Sequence, residues 1–235
     1  VTRHYRFDNY LNRCCENYPT HELGPIAKLL DINRGNRIMT VSSFASKSAG
    51  LSEYIKTRVD ATDEMKAANF AQGDIITTVL TCARGETILL RLDTTLPRSY
   101  SRDFTVRGTK GLYMQDTNSV FLDGDEESFE PVEYYKKALN NAVKFEDEYL
   151  PGIWKNVTEE TLKAGHGGMD WFAYMGFTDA LINGEEMPVD VYDAATWQAV
   201  AVLSEMSIKQ GGAPQIMPDF TNGKWFKRPR KDVCR

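Results

Sequence analysis

Between Phe70 and Leu122 the sequence breaks into five short runs rich in β-branched and aromatic residues, 74–83, 86–94, 101–107, 111–114 and 119–122, with turn residues such as Arg84-Gly85 between them. Runs so short and so closely spaced reach one another through hairpins, which predicts an antiparallel meander. A helical pattern and a strand precede this region, and helical patterns follow it. The chain therefore reads as α+β, an open, mainly antiparallel sheet with helices packed on one face. The sheet's uncovered face must be buried elsewhere, and a homodimer through the open sheet is the expected solution.

The first strong helix signal lies in Asn17-Tyr-Pro-Thr-His-Glu-Leu-Gly-Pro25, where Thr20 is a good N-cap and Leu23, Ile26, Ala27 and Leu30 recur at helical spacing. His21 then falls in the first turn. Free backbone N–H groups and the positive end of the helix dipole suit an anionic or electron-rich ligand there. Tyr18, just ahead of the helix, can point to the same place. A Tyr and a His converging at a helix start form an acid/base pair, since each carries a proton that can be given or taken. A capped helix whose two rings make ordinary hydrogen bonds is the other reading of the same spacing.

Length and charge narrow the function classes. A chain of 235 residues with a net charge of -5 can build a sizeable core but offers no electrostatic footprint for nucleic acid. No apolar run approaches the length of a membrane span. Cys14, Cys15, Cys82 and Cys234 lack C-x-x-C spacing, so neither a metal centre nor a disulfide framework is expected. The opening Val-Thr-Arg-His-Tyr-Arg has no initiator methionine and no apolar leader core, and reads as a piece of something longer.

The remaining segments read in order as follows. Residues 1–16 are polar and aromatic without a clear period, 37–44 alternate as a strand, and 45–68 read as a surface excursion. The loop Leu96-Pro-Arg-Ser-Tyr-Ser-Arg102 holds Arg98, Tyr100 and Arg102 together, as a clamp for a polar ligand or as solvated decoration. A helix is expected over 132–145. Thr158 caps a short helix ending at Ala164, followed by Gly165-His-Gly-Gly-Met-Asp170 and a helix to Asn183 with Gly184 as its C-cap. Asp193 reads as the N-cap of a last helix over 194–210, with Trp197, Val200, Ala201, Leu203 and Ile208 as its apolar face and Gly211-Gly212 as its stop. The basic tail 227–235 has no periodicity and reads as a solvated, frayed end.

Six motifs in one order then carry a resemblance: Tyr18-Pro-Thr-His21, Asn33-Arg-Gly, Leu96-Pro-Arg-Ser-Tyr100-Ser-Arg, Gly108-Thr-Lys-Gly, Gly165-His-Gly-Gly-Met-Asp170 and Asp190-Val-Tyr-Asp-Ala-Ala-Thr-Trp197. Together they resemble the C-terminal domain of glycoside hydrolase family 109, the NAD-dependent α-N-acetylgalactosaminidases, within the larger glucose-fructose oxidoreductase and inositol dehydrogenase family. The likeness runs from about Arg6 to Trp225. It implies that residues 1–235 form a substrate-binding and oligomerisation domain, with the N-terminal Rossmann domain that holds most of the NAD outside this chain. Two positions depart from the usual pattern: Glu22 stands where glycine commonly follows the motif histidine, and Tyr5-Arg6 stands where Trp-Arg is usual.

The resemblance also implies a mechanism unlike that of two-carboxylate glycosidases. In such a retaining reaction, transient oxidation at C3 of the sugar acidifies the C2 proton, a base removes it, the aglycone leaves C1, and water adds before C3 is restored. It makes His21 and Tyr18 the catalytic candidates, with Tyr18 also facing the cofactor. Arg6, Thr20, Tyr100, His166 and Asp170 become the substrate-binding candidates, the last two lining or shaping the cleft. The implied partner is an N-acetylated sugar or glycoside, and export to a bacterial periplasm or envelope fits the family. An isolated chain lacking the cofactor domain is expected to be inactive. A sugar oxidoreductase of the same larger family and a non-catalytic sugar-binding or assembly module are the alternatives.

Overall fold

Alternation at period two organises the larger part of the computed structural model, which describes residues 4–124, 131–155 and 157–231. Strand β1 (Ile38–Ala45) pairs antiparallel with β2 (Ile75–Cys82), and β2 pairs antiparallel with β3 (Thr87–Asp93). Every second residue of β2, namely Ile76, Thr78, Leu80 and Cys82, points inward and is buried. Helix α1 (His4–Asn12) and helix α2 (Pro19–Leu29) precede the sheet. The two short helices α3 (Gly50–Lys56) and α4 (Asp63–Lys66) interrupt it after β1.

The chain divides into two compact units, one running up to Arg98 and resuming over Val189–Lys231, the other Ser99–Pro188. In the second unit β4 (Thr105–Arg107), β5 (Gly111–Met114) and β6 (Ser119–Leu122) form a separate three-stranded antiparallel sheet. The expected single meander is thus two sheets. The strand expected over 101–107 shortens to its last three residues: Ser101 Oγ accepts the Asp103 N–H at 2.7 Å and Asp103 takes a φ of +49°, a turn that cannot join a ladder. Helix α5 (Pro131–Ala138) ends before a 3-10 turn over Asn141–Phe145, because Asn140 takes a left-handed φ of +59°. Helices α6 (Glu146–Tyr149), α7 (Gly152–Lys155) and α8 (Glu159–Lys163) follow, the last capped by Thr158, whose hydroxyl accepts the Thr161 N–H. Helix α9 (Met169–Asn183) stops at Gly184 with φ +64°.

The first unit closes with α10 (Val191–Lys209) and a two-residue strand β7 (Gln215–Ile216), giving a sheet in the order β3-β2-β1-β7. Helices α2 and α10 cover one face. Leu23 and Ala27 of α2 meet Ile38, Val41, Leu80, Ile88, Leu90, Val200, Leu203 and Met217 in one core. Against the broad apolar face expected for α10, only Val200 and Leu203 of the named set are buried, and the closest seam is polar. The Ser43 N–H donates to Ser207 Oγ at 2.9 Å, Ser43 and Thr78 share a hydroxyl bond at 2.8 Å, and the Glu16 N–H donates to Ser204 Oγ at 2.8 Å. Small hydroxyl side chains satisfy one another there and let the helix lie close to the strands.

Three other expectations change in this unit. Residues 1–16 contain α1, tied down by an edge-to-face Phe7–Phe70 contact at 5.7 Å and by the Tyr10 carbonyl, which accepts the Ala71 and Gln72 N–H groups. The stretch 45–68 is more than surface: Leu51 and Ile55 of α3 are buried, and buried Asp74 accepts the Ala49 and Gly50 N–H groups at 2.9 Å. Asp190, not Asp193, caps α10, because an acid three residues earlier reaches the Tyr192 and Asp193 N–H groups, while Asp193 closes a capping box on the Asp190 N–H.

That capping box is also an ion-pair node. Asp193 Oδ2 receives Lys28 and its Oδ1 receives Arg34, each at 2.8 Å, and Arg34 reaches Asp190 at 2.9 Å. Asn33 donates to the Tyr192 carbonyl at 3.1 Å and to Thr196 Oγ1 at 3.0 Å. Two of the six motifs are therefore each other's partners, and they clamp α10 to the turn after α2. The basic tail is not frayed as far as Lys231: Arg228 pairs with Asp190 and lies over the Tyr192 ring, and Arg230 reaches Asp31 at 3.0 Å. The end of that tail, with Cys234, lies outside the described residues, as do residues 1–3 of the N-terminal segment.

Candidate active site

Pro19 sets where α2 begins. Its fixed φ suits the first helical position, so the helix starts two residues earlier than Thr20 would dictate, with Tyr18 in the N-cap place and no side-chain cap bond. This corrects the reading of Thr20 as the cap. His21 remains in the first turn, and Pro25, which has no N–H, leaves the His21 carbonyl without its usual i+4 donor.

The start of the helix gathers four of the candidate residues. The Tyr18 and His21 rings stack, centroids 4.7 Å apart and 21° from parallel. Tyr18 Oη lies 3.5 Å from His21 Nε2, and Thr20 Oγ1 lies 3.4 Å from His21 Nδ1. One ring nitrogen can thus face Thr20 while the other faces the phenol, the arrangement an imidazole needs to exchange a proton through a defined atom. Arg6 closes the group from α1, its guanidinium carbon 5.6 Å from the Tyr18 ring centroid. Tyr18 and His21 are both exposed, open to a ligand on that side.

Behind the pair stand two carboxyls, and sequence reasoning singled out only one of them. Glu16 is 0% exposed; its Oε1 accepts the Tyr18 N–H at 3.4 Å and its Oε2 has no partner. Burial, then the Glu22 charge, push the Glu16 carboxyl up to about 8 against the opposing Tyr18 N–H. Burial raises Glu22 to about 7, opposed by the Arg98 charge. At neutral pH Glu16 holds its proton. The folded state therefore keeps a proton that the unfolded chain releases near 4.5, so this group's contribution to stability is full below about 4.5 and is lost as pH rises toward 8. Glu16→Gln is expected to flatten that slope, raising Tm at pH 8 by roughly 3–5 °C and leaving it almost unchanged at pH 4, as read by circular-dichroism melts across pH.

The other candidates belong to the second unit. His166 Nδ1 and Asp170 Oδ2 are 2.8 Å apart, so the two residues do form a pair. The backbone enforces it: Gly165, Gly167 and Gly168 all have positive φ, and a Cβ at Gly165 would fall 2.4 Å from Asp170 Oδ2. Tyr100 is 82% exposed in the loop between the two sheets.

The sequence profile described as "Glycosyl hydrolase 109, C-terminal domain" matches residues 1–227. A "Glycosyl hydrolase family 109 protein" of Stenotrophomonas maltophilia is 42% identical over 225 residues, 95% of this chain and 48% of that protein. An "Alpha-N-acetylgalactosaminidase" of Tannerella forsythia is 38% identical over 95% of this chain and 46% of its own length, and one of Shewanella oneidensis is 34% identical over 88% and 45%. The chain spans about half the length of these relatives. By extent and identity, this chain belongs to the glycosyl hydrolase 109 family and corresponds to its C-terminal domain.

Proposed function

We propose that this chain is the substrate half of an NAD-dependent retaining glycosidase acting on α-linked N-acetylgalactosamine. The observation that carries the reading is the stacked Tyr18–His21 pair at the start of α2, with Arg6 against it, in a chain whose relatives include proteins named for that activity. A binding module would need aromatic contact but not an imidazole held between a phenol and a hydroxyl.

The residues present fit the dinucleotide only in part. An exposed, flat Tyr18–His21 stack offers a surface for the nicotinamide end, while the remainder of the cofactor would be held by the other half of the protein. When bound, NAD supplies reversible hydride acceptance at C3 of the sugar, which acidifies the C2 proton. His21 is assigned to take that proton and later return it, through Nε2 with the Tyr18 phenol beside it or through Nδ1 with the Thr20 hydroxyl beside it. Tyr18 supports it by holding the imidazole and by hydrogen bonding to the sugar. Arg6 and Thr20 bind hydroxyl or acetamido groups.

The full-length protein is expected to release nitrophenol from the α-N-acetylgalactosaminide and not from the β-anomer. Net accumulation of NADH with oxidised sugar, and no release, would point instead to a sugar oxidoreductase.

We propose further that the uncovered sheet face joins two copies. Leu89 is 67%, Ile216 78% and Phe44 56% exposed there, on a face that also holds Thr40, Ser42, Thr77, Val79, Thr81, Thr87 and Arg91. Leu89→Lys with Ile216→Lys is expected to convert a dimer to a monomer at micromolar concentration in sedimentation velocity. A wild-type chain that is already monomeric contradicts the pairing. Among the described residues no helix is long and apolar enough to cross a membrane.

A further inference from the structure

Helix α2 starts without the side-chain cap common at helix starts. Tyr18 stands in the N-cap place and makes no cap bond, and Pro19 after it has no N–H. The place of the Tyr18 main chain, and with it the angle at which the Tyr18 ring meets His21, has to be set from outside the helix. Glu16 reaches it: Oε1 accepts the Tyr18 N–H at 3.4 Å.

Glu16 is itself anchored on two sides. Its N–H donates to Ser204 Oγ of α10 at 2.8 Å, and that hydroxyl in turn donates to the Ala201 carbonyl at 2.9 Å. The preceding residue, Cys15, is clasped by buried Gln72, whose Oε1 accepts the Cys15 N–H at 3.2 Å and whose Nε2 donates to the Cys15 carbonyl at 3.1 Å. Residues 15 and 16 therefore move with α10 and with the segment before β2. Tyr18, two positions on and exposed, takes its place from them.

For stability alone a glutamate is a poor choice at this position. The side chain is fully buried and Oε2 has no partner, a loss that an apolar side chain of the same length would avoid. Groups that work against the fold are retained where a site needs them. Burial pushes the carboxyl up to about 8, so at neutral pH a neutral carboxyl, not a charge, faces the Tyr18 N–H. Fully buried, Glu16 cannot touch a sugar, and any part it has in the reaction passes through Tyr18.

We propose that Glu16 is a positioning residue of this site, its carboxyl holding the Tyr18 main chain so that the phenol ring stays stacked on His21, with Ser204 fixing Glu16 to α10; this rests on the reading of Tyr18 and His21 as the reacting pair. Misalignment of a reacting pair is felt in the chemical step, so Glu16 moves kcat more than KM.

Two variants of the full-length protein, with NAD retained, test this against 4-nitrophenyl N-acetyl-α-galactosaminide. Glu16→Met keeps the side-chain length and removes both oxygens. It is expected to lower kcat about tenfold, to change KM less than threefold, and to leave Tm unchanged or raise it by up to about 3 °C. Glu16→Gln gives back a carbonyl oxygen for the Tyr18 N–H and is expected to recover most of the lost kcat. A second readout needs no substrate. In protein carrying 13C-labelled histidine, the His21 ring protons lie under the stacked Tyr18 ring; they are expected to shift downfield in Glu16→Met and to stay in place in Glu16→Gln. Should Glu16→Met fail to fold, Ser204→Ala frees the Glu16 main chain while leaving its carboxyl, and is expected to lower kcat about threefold with the same direction of His21 shift.

Wild-type kcat and wild-type His21 shifts in Glu16→Met would overturn the proposal. So would kcat and Tm falling together in both the Met and the Gln variants, which is the mark of a merely structural role. A wild-type protein that does not turn over the glycoside removes the glycosidase reading and the role in catalysis with it, whereas a wild-type protein that does, beside a Glu16→Met variant equally active, overturns the positioning role alone.

Discussion

In the full-length protein, His21→Ala is expected to lower kcat on an α-N-acetylgalactosaminide by about 10²–10⁴-fold while leaving the fold intact. The imidazole is exposed and, besides stacking on the Tyr18 ring, makes only long polar contacts to Tyr18 and Thr20, at 3.5 and 3.4 Å, so its loss removes chemistry and little buried packing. Tyr18→Phe keeps the stack and removes the phenol, and should cost less than the histidine does. The informative comparison is between kcat and Tm. A large kcat loss at unchanged Tm supports a proton-handling role, whereas a His21→Ala enzyme with more than half the wild-type kcat would remove His21 from the reaction.

Asp193→Ala is expected to be the most damaging single change to stability, about 3–5 kcal/mol and roughly 10 °C in Tm by calorimetry. Buried Asp193 is the shared partner of Lys28 and Arg34 and also closes the capping box of α10. Its removal leaves Lys28 without that partner in a half-buried place and Arg34 with Asp190 alone on the α10 side. The Asp193 carboxyl is held below its ordinary range by Arg34 and Lys28 despite burial, so the same stabilisation is present at neutral pH and is lost as pH falls through the acidic range. Asp193→Asn keeps an acceptor for the Asp190 N–H while dropping the charge, and should fall between wild type and the alanine variant.

Both residues lie in motifs that were visible in the sequence, yet only one was legible for what it does. Tyr18-Pro-Thr-His21 could be placed at a helix start because Leu23, Ile26 and Ala27 fix the buried face; Pro19 then decided the start, overriding Thr20. Asp193 looked like a cap because it precedes an apolar run. Asp190 took that place, and the reason Asp193 is buried is Arg34, 159 residues earlier, which no local pattern announces. The antiparallel strands were readable from alternation, but their division into two sheets was decided by the turn at Ser101 and Asp103. Glu16 was invisible as a buried acid. An isolated glutamate before a helix ordinarily faces water, and its burial follows from the Ser204 hydroxyl of α10 seating its backbone.

The Gly165–Asp170 segment shows what a motif can say without its context. Its glycines were readable as a close backbone approach, and the positive φ values and the 2.8 Å His166–Asp170 contact show what that approach serves. An exposed, oriented imidazole in the second unit is suited to contact a hydroxyl-bearing ligand.

The most direct test of the account is to incubate the full-length protein, with NAD retained, with 4-nitrophenyl N-acetyl-α-galactosaminide in heavy water and to follow nitrophenol release together with deuterium at C2 of the released sugar. The account predicts release with deuterium incorporated at C2, no net NADH, and loss of both signals in His21→Ala. Nitrophenol release with no deuterium at C2 would contradict it, since a proton taken by the exposed His21 imidazole exchanges with the solvent before it is returned.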